Sequence, residues 1–229
     1  PLTVSYRCPK AAVDMVKHIV PYFEVAETAI PGKVEWLKAK EALALVGPDD
    51  AILCRKTAPL VSLAFSLIAE GRGCRVVGKD IGAGLVGLIK KLRPKGVDGL
   101  LERLDAYFAK EQAKFVKNGE EAKAEALLDR IECIKTVANA IPEAERTVPK
   151  VISRIDDLFA DGDAKVLSLM TGHKAKGREY PRVIIWQPEL LPIKSAKSDE
   201  AYQQEMNLDY VMKTRFTSEM YLVPAEVRS

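Results

Sequence analysis

Short apolar runs alternating with helical patterns constrain this chain more than any other feature. Runs at 2–6, 51–54, 75–78, 165–170, 182–186 and 219–223 read as strands, with a marginal one at 34–36. Helical spacing recurs between them at 9–20, 37–46, 57–70, 80–92 and 202–214. Pro31-Gly32, Gly47-Pro48-Asp49-Asp50 and Gly71 to Gly73 punctuate the series as turns. Strands that alternate with helices predict an α/β fold, a parallel sheet covered by helices.

The stretch from Pro94 to Pro149 breaks that alternation. LLERLDAYFAKEQAKFVKNGEEAKAEALLDRIECIKTVANAI is continuous helical pattern, with Asn118-Gly119 as its natural break. Its charges are nearly balanced, which suits a solvated amphipathic helix pair; a charged binding surface is the alternative. A further helix follows at 151–159 before the sheet resumes. The expected organisation is therefore one α/β domain in two parts, 1–97 and 150–229, with a helical insertion at 98–149. The chain opens at Pro1 directly into a strand-like run, which predicts a piece of a longer polypeptide.

Gly73 to Asp80, GCRVVGKD, fits the phosphate-binding template G-x-x-x-x-G-K-[ST] at every position but the last. Such a loop needs pliable backbone between its glycines so that successive N–H groups can wrap a phosphate. Arg75-Val76-Val77 is bulky and partly β-branched, suited to a strand. Asp80 would set a carboxylate where the template needs a hydroxyl for Mg²⁺. A short strand running into a helix capped by Asp80 accounts for the same residues.

Composition narrows the classes. The 229 residues are 48% hydrophobic and 29% charged, ordinary for a globular chain, and Lys plus Arg exceed Asp plus Glu by 35 to 32. So slight a basic excess permits nucleic-acid binding without arguing for it. Cys8, Cys54, Cys74 and Cys133 form no CxxC, and neither His18 nor His173 has a Cys or His at ligand spacing. Reduced thiols and no zinc site are expected. No apolar run approaches the roughly 18 residues of a membrane span, and no signal peptide is visible. A cytoplasmic protein without a membrane partner is the expectation.

Two clusters carry chemistry. In VLSLMTGHKAKGREYPRVIIW, residues 166–186, a buried strand feeds Thr171-Gly172-His173-Lys174-Ala175-Lys176-Gly177. Loops at strand C-terminal ends line the ligand crevice of open α/β sheets. A hydroxyl, an imidazole, two lysines and two glycines there suit phosphate contacts; a basic surface loop needing glycines to turn fits equally well. In QQEMNLDYVMKTRFTSEMYLV, residues 203–223, Glu205, Leu208, Val211 and Arg215 fall near one helical face. Arg215 closes that helix, either capping its last carbonyls or held rigidly as an arginine finger for a phosphate bound elsewhere.

LTVSYRCP, AILCRKTAPL, LMTGHKAKGREYPRVII and QEMNLDYVMKTRF resemble successive motifs of the superfamily 1 DNA helicases of the UvrD/PcrA/Rep type, in the family's order. T-x-H-x-x-K-G-x-E and L-x-Y-V-x-x-T-R are specific when found together. The match covers the second of two RecA-like motor domains. The first domain of such proteins carries the P-loop, the Asp-Glu pair for Mg²⁺ and an aromatic stacking platform, and this chain has none of these. The resemblance implies a RecA-like sheet and a fragment of an ATP-dependent DNA helicase that is inactive alone. ATP with Mg²⁺ would be held mainly by the N-terminal RecA-like domain of the same protein. Arg7 and Arg215 match the arginines that reach the γ-phosphate. Glu179 matches the carboxylate for the nucleotide ribose, Gly177 gives close backbone approach, and Lys176 lies beside it. Thr171 and His173 match contacts to the single-stranded DNA backbone, and Arg55 in LCRKT joins them. Arg178, Phe216 and Asn207 depart from the family pattern, and the insertion is shorter than its usual accessory domain. A RecA-like domain without catalysis, serving as a nucleic-acid-binding or scaffolding module, is the rival expectation.

Overall fold

The computed structural model describes residues 4–162 and 165–225. Two compact units divide the chain: one comprises the described residues as far as Arg55 together with those from Lys165 on, and the other begins at Lys56 and fills the stretch between.

In the first unit β1 (Val4–Ser5) leads to α1 (Lys10–Val16) and β2 (Glu24–Val25), and β1 pairs with β2 in parallel. Leu2 and Thr3, the start of the run expected as a strand, lie outside the described residues. The chain continues through β3 (Lys33–Trp36), α2 (Ala39–Leu45) and β4 (Ala51–Cys54). All four residues of β4 are buried, as are Leu167–Thr171 of the strand beside it. Apolar runs of this kind are covered on both faces, which is how parallel sheets are packed.

The second unit holds α3 (Ala58–Ala69), β5 (Cys74–Val76), α4 (Lys79–Leu92), α5 (Val97–Lys117), α6 (Glu121–Asn139) and α7 (Val148–Leu158). Leu60, Leu67, Leu85, Ile89, Leu100, Leu104, Ile131 and Ile134 form its core and are fully buried. Asp129 of α6 accepts hydrogen bonds from the Thr57 and Ala58 N–H groups, at 2.8 and 2.9 Å, so a carboxylate satisfies the first donors of α3. GCRVVGKD is indeed a strand entering a helix. The cap of α4 is Gly78, and Asp80 lies within the first turn, which corrects the expected capping role.

The first unit resumes with β6 (Leu167–Thr171), β7 (Tyr180–Trp186), α8 (Asp199–Lys213) and β8 (Phe216–Val223). Its strands lie in the order β3-β8-β7-β4-β6, every pair parallel. The α/β expectation of a parallel sheet flanked by helices is met, and the arrangement is consistent with a RecA-like fold. The marginal run at 34–36 is a true edge strand: Trp36 aligns with Leu222 of β8, and Leu222 with Ile185 of β7. Buried Asp50 ties a turn to the sheet. Its carboxylate accepts from the N–H groups of Gly47 (2.8 Å) and Arg182 (3.0 Å), and Arg182 Nε lies 3.2 Å away.

Candidate functional site

Two groups of side chains in the first unit are joined by the loop between β6 and β7. The first group gathers at the start of β8. Ser5 Oγ accepts from the backbone N–H groups of Arg7 and Cys8, at 3.3 and 3.0 Å, which turns the chain directly after β1 and presents Arg7. Arg7 Nε lies 3.3 Å from Glu179 Oε1, both side chains about two-fifths exposed at 42% and 43%. Arg215, buried between α8 and β8, donates from Nε to the Val211 carbonyl (2.8 Å), from Nη2 to Thr214 Oγ1 (2.8 Å) and from Nη1 to the Arg178 carbonyl (3.3 Å). A guanidinium has five N–H groups, so one remains on each terminal nitrogen. The helix-cap reading of Arg215 is thus realised, since Val211 belongs to the last turn of α8.

Burial, and after it repulsion from Arg7, lowers the proton affinity of Arg215, while Cys8, Glu179 and Tyr210 act in the opposite sense. Burial likewise pushes the Tyr210 phenol up. Tyr210 meets Phe23 edge-on, ring centres 5.7 Å apart. Arg7, Arg215 and Glu179, drawn from three distant stretches, are therefore neighbours.

The second group forms where β4 and β6 end. Arg55 Nε and Nη2 donate to the two carboxylate oxygens of Glu205 at 2.8 and 2.7 Å, a bidentate pair with side chains 18% and 8% exposed. Glu205 also accepts from the Ile193 N–H at 3.2 Å. His173, exposed to solvent on one side, stands beside this pair: partial desolvation, and next the Arg55 charge, hold its imidazole below the ordinary value, with Glu205 opposing. Thr171 is the buried last residue of β6, and its carbonyl accepts from the N–H groups of Lys174 and Ala175.

The loop is fastened to α8. A Cβ at Gly172 would stand 2.6 Å from the Met212 side chain and 2.9 Å from Leu208, so only glycine fits there without displacement. Gly177 has φ +79°, a left-handed backbone that L side chains rarely adopt. Lys176 and Gly177 are both exposed. Sequence spacing had set Glu205 on the helical face of Arg215 without giving it a partner. The signal was there: Glu205 shares a stripe with Leu208 and Met212, and a carboxylate on a buried stripe demands a cation. Ser5, Cys8 and Tyr210 carried no such signal.

Among the described residues no cluster of His, Cys, Asp and Glu could hold a metal ion. Nor is any described helix long and apolar enough to cross a membrane. No family model matches the chain, and no curated protein matches it. Among solved structures it is similar to the C-terminal domain of a possible DNA helicase from Lactobacillus strain WCFS1, with 14% identity and a TM-score of 0.41 over 96% of this chain and 87% of that one.

Proposed function

We propose that this chain is the second motor domain of an ATP-driven single-stranded DNA helicase or translocase, completing a nucleotide site whose other wall belongs to a neighbouring RecA-like domain of the same protein. The observation that carries this reading is that Arg7, from the far end of the chain, pairs with Glu179 while Arg215 is fastened to the carbonyl of the adjacent Arg178, within electrostatic reach of both. Two guanidiniums against one carboxylate leave an excess of positive charge, which a polyphosphate would relieve. The residues present therefore fit ATP with Mg²⁺ held mainly by the other domain.

When bound, ATP supplies the phosphoryl group transferred to water. Arg7 and Arg215 offset the negative charge that builds during that transfer, and Glu179 accepts a hydrogen bond from a ribose hydroxyl. The left-handed turn at Gly177 lets backbone come close, with Lys176 as an adjoining cation. At the other end of the loop, Thr171, His173 and Arg55 touch the single-strand backbone. Contacts of that kind imply strong salt dependence and little sequence preference.

In the intact protein Arg215→Ala should slow ATP turnover by about 10³-fold or more, the scale of an arginine finger, with a smaller change in nucleotide affinity. Unchanged turnover would remove the finger role. The chain by itself should not hydrolyse ATP, and DNA-stimulated turnover that survives repurification would count against the half-motor reading. A non-catalytic nucleic-acid-binding or scaffolding module is the second reading. In its favour, Arg215 already has three internal hydrogen bonds, a structural occupation sufficient to explain its presence. A G-x-x-G-x-G-K-T loop encoded upstream of Pro1 decides for the motor.

A further inference from the structure

Beyond the C-terminal ends of the parallel strands the first unit contains a cleft of about 120 Å³. Trp36, Arg55, Gln187, Asp209, Met212 and Lys213 are among the residues that line it. Trp36, the last residue of the edge strand β3, is 65% exposed. Indole is the largest apolar surface a side chain can offer, and here it remains in water beside a sheet whose neighbouring Leu222 is buried.

The cations around the cleft are held in place. Glu205 grips Arg55 through Nε and Nη2, which leaves Nη1 outside the pair. Lys213 is anchored by Asp209 at 2.7 Å. Open α/β sheets take their ligands at this end of the strands. A flat indole face, a pre-positioned guanidinium and the Gln187 amide around a cleft of this volume suit one planar heterocycle with an attached phosphate.

We propose that this cleft is a stacking subsite for one unpaired nucleotide of a single strand, its base lying on Trp36 and its backbone phosphate facing Arg55. The proposal rests on the reading of the chain as a single-strand binder and deepens it. It adds an aromatic platform within this domain to contacts otherwise made to backbone alone. Stacking accepts every base, so the subsite adds affinity without adding sequence preference.

The test uses the full chain with fluorescein-labelled oligo(dT) and the same strand carrying abasic units. Trp36→Ala should weaken oligo(dT) binding by about 5- to 100-fold, the scale of one stacked base, and Trp36→Phe by much less. Abasic strand should bind weakly to wild type and equally weakly to Trp36→Ala. In a Trp186→Phe background Trp36 is the sole indole, and oligo(dT) should quench its emission. Equal oligo(dT) affinity for wild type and Trp36→Ala, or unquenched Trp36, overturns the subsite and leaves the single-strand reading standing. If wild type binds neither strand, both fall.

Discussion

Replacing Glu205 by alanine strips Arg55 of both its hydrogen bonds to that carboxylate and leaves the Ile193 N–H without its acceptor. Removing one partner from a buried ion pair costs about 3–5 kcal/mol, because the other charge stays behind uncompensated. Arg55 is 18% exposed and recovers some hydration, which sets the expectation at the low end, about 3 kcal/mol. Glu205→Gln keeps the volume, but its amide NH₂ must face Arg55 or the Ile193 N–H, donor against donor, for a loss of about 2 kcal/mol. Both tryptophans, Trp36 and Trp186, belong to the unit that contains the pair, so indole fluorescence in a urea titration reports on that unit. A 3 kcal/mol loss moves the midpoint down by roughly 1–3 M at urea slopes of about 1–3 kcal/mol per M. The double variant Arg55→Ala/Glu205→Ala should be less destabilised than the sum of the single ones, by about 1.5 kcal/mol or more. A Glu205→Ala midpoint within about 0.2 M of wild type, or strict additivity in the cycle, would refute the account of the pair.

The two loop glycines should fail for different reasons. Gly172→Ala drives a methyl into Met212 and Leu208, costing about 1–3 kcal/mol, whereas Gly177→Ala meets no atom and costs about 1–2 kcal/mol through its backbone angle alone. Shortening Met212 to alanine should make the added cost of Gly172→Ala smaller than in wild type, Leu208 still being met, and leave the added cost of Gly177→Ala unchanged in urea melts. His173 gives a pH dependence with a definite sign. Its folded-state affinity for a proton is depressed, so the unfolded chain takes the proton first as pH falls through about 6.5. Stability should be intact above that value and drain away on acidification toward the lower folded value, and His173→Gln should flatten this part of the profile. Identical midpoint-versus-pH slopes for the two proteins would show that the imidazole plays no part.

Much of the fold was legible because its strands are of the kind local pattern can find. Ala51–Cys54 is apolar at every position and forms a strand with the expected bounds. Asn118-Gly119 separates two helices as its turn chemistry requires, with α5 ending at Lys117 and α6 starting at Glu121. Glu24–Val25 escaped notice because a two-residue strand has no period to detect, and it exists only through pairing with β1. The helix expected over 9–20 ends at Val16, short of the turn before Pro21. At the site, motif spacing singled out Arg55, but its partner Glu205 lies 150 positions away and only tertiary packing joins them. Trp36 was invisible for a related reason. An exposed indole and a buried one look alike in sequence, and exposure is decided by the edge position of β3.

The placement of both clusters along α8 explains why their spacing is fixed. Glu205 holds Arg55 near the middle of that helix, and Arg215 closes its end roughly 15 Å further on at 1.5 Å per residue. Between them Leu208 and Met212 press on Gly172, and Arg215 reaches the Arg178 carbonyl, so the β6–β7 loop is pinned to the helix at both ends. A helix resists compression along its axis and a close-packed contact resists sliding. On the proposed reading, displacement of the arginine end by a bound anion would be felt at the Arg55–His173 end through these contacts. A chain that needed only an anion site could have left this loop free. Fastening it to a helix that also orients Arg55 couples the two ends mechanically, which is what the proposed motor reading needs and what loop-deletion or Gly172 variants would disturb at both ends together.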